Sequence, residues 1–379
     1  MSHGTVSKYE SGTATRWRFQ FRTDTGAQVR RRGFDSKSDA TKAMDAERRR
    51  HVGLVDPTSL SVSDYLERWL DEREASGALK QSTALSYRNK LRPAIARFGS
   101  IKLSALTPSH LDALYLNLST EGRQAGGGLS ARTVRYTHTV LRKALNDAHR
   151  KGLIAQNPAD RADPPSTTAA RAPEPELWSV EEVRAFLAAD WLPTYRRVAW
   201  ETAFLTGLRR GELCALRWDR VDDGVVHVKS SRTTVGHEVV ETTPKSQKSL
   251  RRIHIDEGLQ RTLQAWRAEQ GTLSLRLGTR LDFVFTDALL KEWHPNAMTH
   301  AWRADVRRAI KESLIAKSMS LHNCRHWHAT QMVGAGVDLN TVADRLGHST
   351  AAFTLSVYGH SDAARDEAAA GLVATRLGQ

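Results

Sequence analysis

The second half of this 379-residue sequence carries a spaced series of cations, imidazoles and one late tyrosine. Arg209 stands in TAFLTGLRRGELCALRW, after a Thr-Gly-Leu bend at which a helix breaks and restarts, so its guanidinium points out of a turn toward a ligand. Glu212 lies three residues on, where a carboxylate can hold a guanidinium in place. Lys245, in TPKSQKSLRRIHI, follows EVVETT and falls in the loop of a β-hairpin. His322 and Arg325, in LHNCRHWHAT, are at i and i+3, on one helix face. The segment HSTAAFTLSVYGH opens with His348 and reaches Tyr358 ten residues later. A tyrosine there is either a helix-end aromatic before a glycine cap or a nucleophile. Its own spacing leaves both readings open.

Taken singly, each residue has an ordinary explanation. Arg209 suits a surface helix cation and His322 a helix cap or a satisfied core histidine. Lys245, beside Lys248, Arg251 and Arg252, suits a solvated basic run, and His348 after Gly347 suits a helix end. Other chemistries lack their signatures: there is no phosphate-binding GxxxxGK[ST], no HExxH, no paired CxxC and no DxDxDG loop. The group His322, Cys324, His326 and His328 has metal-ligating side chains but no spacing used by a zinc site, so no metal and no cofactor are expected, and His326 and His328 are assigned to structure.

Charge narrows the class of partner. Lys and Arg total 56 against 42 Asp and Glu, a formal net charge of +14, which suits a polyanion. No basic amphipathic anchor and no membrane-length apolar run is present, so a membrane surface is the weaker partner. The N-terminus lacks a signal-peptide core, and two cysteines, Cys214 and Cys324, exclude a disulfide framework; a cytoplasmic location is expected.

The elements that must position these residues fall into successive blocks. In residues 1–55, TRWRFQFRT alternates, with Trp17, Phe19 and Phe21 on one face and Arg16, Arg18 and Arg22 mostly on the other. DTGAQ makes a turn, QVRRRGF the next strand, and Ser36 with Asp39 opens a helix that ends in a basic cluster. The block holds 12 Lys and Arg against 6 Asp and Glu. A small sheet presenting Arg16, Arg18, Arg30, Arg31 and Arg32 can enter a DNA groove or be a solvated basic face.

Residues 60–163 read as a helical bundle. Ser61 and Asp64 form a capping box, Pro93 is expected to bend or end the second helical region, and Thr107 with Pro108 starts another helix. A glycine-rich loop, EGRQAGGGLS, precedes a long amphipathic helix. Residues 164–177, PPSTTAARAPEPEL, read as a linker. From residue 178 to about 360, a capping box at Ser179 and Glu182 starts a helical stretch, a β-rich stretch follows (GVVHVKSS, EVVETT, RRIHI), and helix returns. Trp302, Arg303, Arg307 and Arg308 share a basic helix that either meets a DNA backbone or is solvated surface. Residues 361–379 form an alanine-rich tail helix.

In order, TGLRRGEL, the hairpin lysine, His322-x-x-Arg325, Leu-Gly-His348 and Tyr358 resemble the catalytic domain of the tyrosine recombinases, the phage integrase family. Each motif alone is weak; five in sequence with family-like spacing are specific. The departures are Asn323 for the usual Asp, Cys324 for the usual Leu, and RHWHAT for RHTHAT, none at a catalytic position. The resemblance covers the whole chain: residues 1–55 look like an arm-type DNA-binding domain, 60–163 like a helical, SAM-like core-binding domain, and 178–360 like the catalytic domain. It implies a multidomain, mainly α fold with small β-sheets, including an N-terminal three-stranded sheet plus helix and a mixed α/β catalytic domain.

The resemblance also implies roles. Arg209 and Arg325 clamp the nonbridging phosphate oxygens, His322 and His348 hydrogen-bond the phosphate, Lys245 protonates the leaving 5′ oxygen, Tyr358 attacks, and Glu212 supports. The implied partner is double-stranded DNA at core and arm attachment sites, met by a homotetramer, with an excisionase and a host DNA-bending protein as further candidate partners. The implied work is integration or excision of a phage or mobile element through a Holliday junction. A type IB topoisomerase shares this chemistry, and a non-enzymatic architectural protein shares the charge; the latter has no need of the six residues together.

Overall fold

The computed structural model describes residues 4–11, 14–22, 28–51, 59–123, 125–171, 173, 175–222, 224–242 and 250–347, leaving Lys245, His348, Tyr358, most of the DTGAQ turn and the tail 361–379 outside the described residues. The chain divides between residues 172 and 173 into two compact units. Helices dominate, with three small antiparallel sheets among the described residues.

The first unit opens with strands β1 (Thr5–Ser11), β2 (Ala14–Arg22) and β3 (Gln28–Phe34), antiparallel in the order β1-β2-β3. Alternation along β2 puts Phe19 and Phe21 on the buried face, where they pack with Met44 of α1 (Lys37–His51), flanked by Val6, Val29 and Phe34. Strand β1 carries no strong alternation, and pairing with β2 defines it. Ser36 begins α1 as its spacing requires: its Oγ accepts from the Asp39 amide at 3.1 Å.

Helices α2 (Val62–Ala75), α3 (Gln81–Phe98), α4 (Pro108–Glu121) and α5 (Ala131–Arg150) build a second core around Leu66, Trp69, Leu91, Leu111 and Leu141. The Ser61 cap is present, its Oγ accepting from the Asp64 amide at 3.1 Å. Thr107 caps α4 with His110 reaching back. Pro93 does not end its helix: α3 continues to Phe98. One backbone bond is forfeited there, and burial of Leu91, Ala94 and Phe98 on the same stripe holds the helix together across it. Asp147, buried on α5, takes the Trp69 indole N–H at 2.7 Å and is paired with Arg73 and Arg150. Those donors outweigh desolvation and bring its carboxyl down to about 2.

The second unit is organised around aromatic helices. Ser179 and Glu182 close the capping box of α6 (Val180–Ala188). Helices α7 (Thr194–Thr206), α8 (Arg210–Ala215), α9 (Glu257–Leu277), α10 (Pro295–Lys311), α11 (Asn323–Gly334) and α12 (Leu339–Leu346) follow, interrupted by strands. Strands β4 (Val221–Asp222), β5 (Val225–Val228) and β8 (Arg251–His254) make one sheet, and β6 (Ser231–Val235) with β7 (Glu238–Thr242) a hairpin. Strands β7 and β8, which flank residues 243–249 and Lys245, belong to different sheets, so they do not pair as the hairpin expected around that lysine; β7 finds its partner in β6 and β8 in β5.

Trp302 is not a surface residue of a basic helix. It is fully buried, stacks with Trp178 at 5.6 Å, and donates its indole N–H to Met319 O at 2.7 Å. Arg303 and Arg307 lie exposed on the opposite side of α10, as does Arg308, which pairs with Glu312 at 2.9 Å and covers the Trp191 ring. Among the described residues no helix is long and apolar enough to cross a membrane.

Candidate active site

Arg209 owes its position to a broken helix. Helix α7 ends at Gly207, whose φ of 63° is the left-handed conformation that glycine adopts without strain, and α8 restarts at Arg210. Arg209 is the cap between them. Its backbone N–H donates to Glu212 Oε2 at 2.8 Å and its Nη1 to Glu212 Oε1 at 2.9 Å. Glu212 therefore holds this guanidinium as its spacing suggests.

Glu212 has a second and more deeply buried partner. Arg251, at the start of β8, donates Nη1 to Oε1 at 3.0 Å and Nη2 to Oε2 at 2.8 Å. The two side chains are 5% and 6% exposed. Desolvation would raise the Glu212 carboxyl, but Arg251 first, then Arg209, hold it down at about 2. Arg251 belongs to no solvated run. Alternation along RRIHI puts it on the same strand face as Ile253 and Ile255, both buried, while Arg252 and His254 are exposed. That alternation is the sequence signal by which it could have been found.

Helix α11 supplies His322 and Arg325. Arg325 is 3% exposed; its Nη1 donates to Gly207 O at 3.0 Å and its Nη2 to Leu346 O. His322 sits at the helix start and is surface-exposed, with its ring edge-on to His326 at 5.1 Å. Partial desolvation, then the charges of Arg325 and Arg209, lower its pKa below the ordinary histidine value. The charges of both arginines thus act on one imidazole. Burial also brings His326 down to about 4.

The C-terminal end of α12 is where these cations converge. Three consecutive carbonyls, which a helix end leaves without intrahelical partners, are each taken by a different guanidinium. Arg251 Nε donates to Arg345 O at 2.8 Å, Arg325 to Leu346 O, and Arg209 Nη2 to Gly347 O at 3.1 Å. The negative end of a helix dipole suits that arrangement. Gly347 closes α12 at φ 66°, and His348 is the next residue in the chain.

His328 belongs to the frame. Its Nδ1 donates to Phe204 O at 2.9 Å and its Nε2 accepts from Arg345 Nε at 3.0 Å, which fixes the neutral ring. Cys324 points into the core, fully buried. Of the four candidate metal ligands only His322 and His326 face each other, while Cys324 and His328 point elsewhere, and among the described residues no group of three or more His, Cys, Asp or Glu could hold a metal ion.

The N-terminal arginines divide between the two faces of their sheet. Register pairs Arg18 with Arg32 and Gln20 with Arg30, so these share the face away from α1. Arg16, opposite Tyr9, lies on that face too, and pairs with Asp35 at 3.2 Å. Arg31, opposite Phe19, lies on the helix side and pairs with Glu47 of α1 at 3.3 Å.

In the second unit, then, Arg209 and Arg325 are bonded to the carbonyls that close α12, and the charges of both act on the His322 ring. Residues 179–365 match the phage integrase family, and this domain belongs to it. The matched range includes Lys245, His348 and Tyr358.

Particular relatives follow. The chain is 29% identical over 239 residues to the ICEBs1 integrase of Bacillus subtilis (strain 168), an overlap of 62% of each protein. Less than two thirds of that relative's length is therefore spanned. In fold the chain is similar to the Tn1549 transposon integrase solved in complex with a circular intermediate DNA, with a TM-score of 0.67 and 20% identity, covering 83% of this chain and 100% of that one. It is similar also to a lambda integrase tetramer bound to a Holliday junction, with a TM-score of 0.56 and 19% identity, covering 90% of this chain and 95% of that one.

Proposed function

We propose that this chain is a site-specific DNA recombinase of the integrase type, which cleaves and rejoins DNA through a covalent 3′-phosphotyrosine. The observation that carries this reading is the convergence of Arg209 and Arg325 on the carbonyls that end α12, directly before His348 in the chain.

A DNA phosphodiester carries one negative charge, and its five-coordinate transition state carries about two. Arg209 and Arg325 supply positive charge to the nonbridging oxygens, where a planar guanidinium fits and an ammonium does not. The Tyr358 oxygen attacks phosphorus and forms a P–O bond to the 3′ side. The bond to the 5′ oxygen breaks, and that oxygen takes a proton from Lys245. His322 and His348 hydrogen-bond the phosphate and assist proton movement. Tyrosine ionises near pH 10 in water, so the surrounding cations promote loss of its proton. Rejoining reverses the sequence: a 5′ hydroxyl of the exchanged strand attacks the phosphotyrosine, its proton passes to Lys245, and Tyr358 leaves. The phosphodiester energy is kept in the covalent bond, so neither ATP nor a ligase is consumed.

The rest of the reading extends to assembly. Residues 1–55 bind arm-type sites, 60–163 and 178–360 clamp the core site, and four copies exchange strands through a Holliday junction. The lambda integrase tetramer on such a junction supports that assembly. Integration or excision of a phage or mobile element in a bacterial cytoplasm is the biological outcome, with an excisionase and a host bending protein as candidate regulators of direction.

The test uses nicked suicide duplexes tiled over the DNA that flanks the gene. A covalent protein–DNA band on a denaturing gel, absent from Tyr358→Phe, is the expected result. No band with any duplex, alongside salt-sensitive DNA binding, would favour an architectural protein. A band accompanied by relaxation of supercoils by a monomer would favour a topoisomerase.

A further inference from the structure

Arg251 has no place among the six residues of the proposed reaction, yet it is the side chain through which three parts of the site are tied together. We propose that Arg251 is a positioning residue for strand cleavage. Through Glu212 it sets the orientation of the Arg209 guanidinium, and through the Arg345 carbonyl it holds the helix end from which His348 follows. This inference rests on the recombinase reading above.

The geometry carries the argument. A carboxylate held by a single donor can rotate; one held by a two-pronged guanidinium cannot, because both oxygens are fixed in the plane of the fork. Arg251 makes that fork with Glu212 at 3.0 and 2.8 Å. The same two oxygens then receive Arg209, Oε1 from its Nη1 at 2.9 Å and Oε2 from its backbone N–H at 2.8 Å. The Arg209 guanidinium is therefore oriented on a carboxylate whose plane is fixed jointly by the Arg251 fork and the Arg209 backbone N–H. The remaining edge of Arg251, its Nε, binds Arg345 O at 2.8 Å.

Two further features give the arrangement a purpose beyond stability. Two arginines share one carboxylate, so the trio keeps a net positive charge, which a purely structural pair would have neutralised. Strand β8 begins at Arg251, six residues after Lys245 in the chain. The residue thus follows the proposed general acid closely in the chain and meets the proposed phosphate clamp through Glu212. A lysine at this position would keep the charge but could not span both carboxylate oxygens and the carbonyl together.

The experiment compares full-length wild type, Arg251→Gln, Arg251→Lys and Arg209→Ala on a nicked duplex that wild type cleaves, once with the normal scissile phosphate and once with a methylphosphonate there. The methylphosphonate lacks one charged nonbridging oxygen and so needs less of the positive charge that Arg209 delivers. We expect Arg251→Gln to bind the duplex within about 3-fold of wild type and to form the covalent complex about 10–100-fold more slowly, as loss of an orienting partner does at other sites. On the methylphosphonate that deficit should shrink to less than about 3-fold, in parallel with Arg209→Ala, since the charge it serves is gone. Arg251→Lys should recover only part of the rate. Should Arg251→Gln not fold, Arg251→Lys carries the same comparison. Wild-type rates in both variants, or an equal deficit on both linkages accompanied by a lowered melting temperature, would overturn the inference while leaving the recombinase reading intact. No covalent band from wild type would overturn both.

Discussion

Arg209 Nη2 lies 3.1 Å from the carbonyl of Gly347, across 138 residues of sequence. That bond ties Arg209 to the residue immediately before His348, so the two halves of the proposed catalytic set share one anchor. Substituting Arg209→Lys keeps a positive charge but cannot meet Glu212 and Gly347 at once. We expect the rate of covalent-complex formation to fall by about 10²–10³, the usual loss for one transition-state donor, with duplex affinity nearly unchanged. Single-turnover cleavage beside a filter-binding titration checks both halves of that statement.

His328 makes stability depend on pH in a defined direction. Burial, and then the charge of Arg345, bring its pKa from 6.5 to about 4. The unfolded chain binds this proton more readily than the folded one, so stability is complete above about pH 6.5 and is lost as pH falls toward 4. The slope attributable to one such group is at most about 1.4 kcal/mol per pH unit. Protonation would also set an N–H against Arg345, whose bond to Nε2 at 3.0 Å requires a lone pair. Urea unfolding at pH 7 and pH 5 should show this loss, and His328→Asn should be less stable at pH 7 with a flatter dependence.

Gly207 is required by both its backbone and its surroundings. At φ 63°, an added Cβ would approach Leu346 Cδ2 to 2.7 Å and His328 Cδ2 to 3.1 Å. Its carbonyl also accepts from Arg325 at 3.0 Å. Gly207→Ala should cost roughly 1–3 kcal/mol, from left-handed backbone strain and overpacking together. Cleavage should fall as well, because Arg325 is displaced with it. Chemical denaturation and covalent-complex yield, measured on the same preparation, separate the two effects.

The two faces of the N-terminal sheet yield contrasting expectations. Arg18, Arg30 and Arg32 share the face away from α1, whereas Arg31 pairs with Glu47 on the other side. If the open face meets DNA phosphates, Arg30→Ala should reduce the slope of log affinity against log salt by about 0.9 at the arm site. Arg31→Ala should leave that slope unchanged. Deletion of residues 1–55 should abolish arm-site binding and spare core-site cleavage; loss of both would contradict the modular reading.

Much of this was legible in the residues themselves, because local physics governs it. Alternation in TRWRFQFRT gave the strand and its buried face, Ser36, Ser61 and Ser179 gave helix starts, and Thr-Gly-Leu before Arg209 gave the helix break. These depend on side-chain period and on which residues tolerate a cap or a left-handed turn. The same reasoning failed where a distant packing partner outweighed a local preference. Trp302 leaves the surface of its basic helix for an aromatic core. The order of motifs, from Arg209 to Tyr358, could be read along one line of sequence. The carbonyls of Arg345, Leu346 and Gly347, and the arginines 209, 251 and 325 that take them, could not. Their pairing spans elements brought together by the core, and no local spacing encodes which guanidinium reaches which helix end.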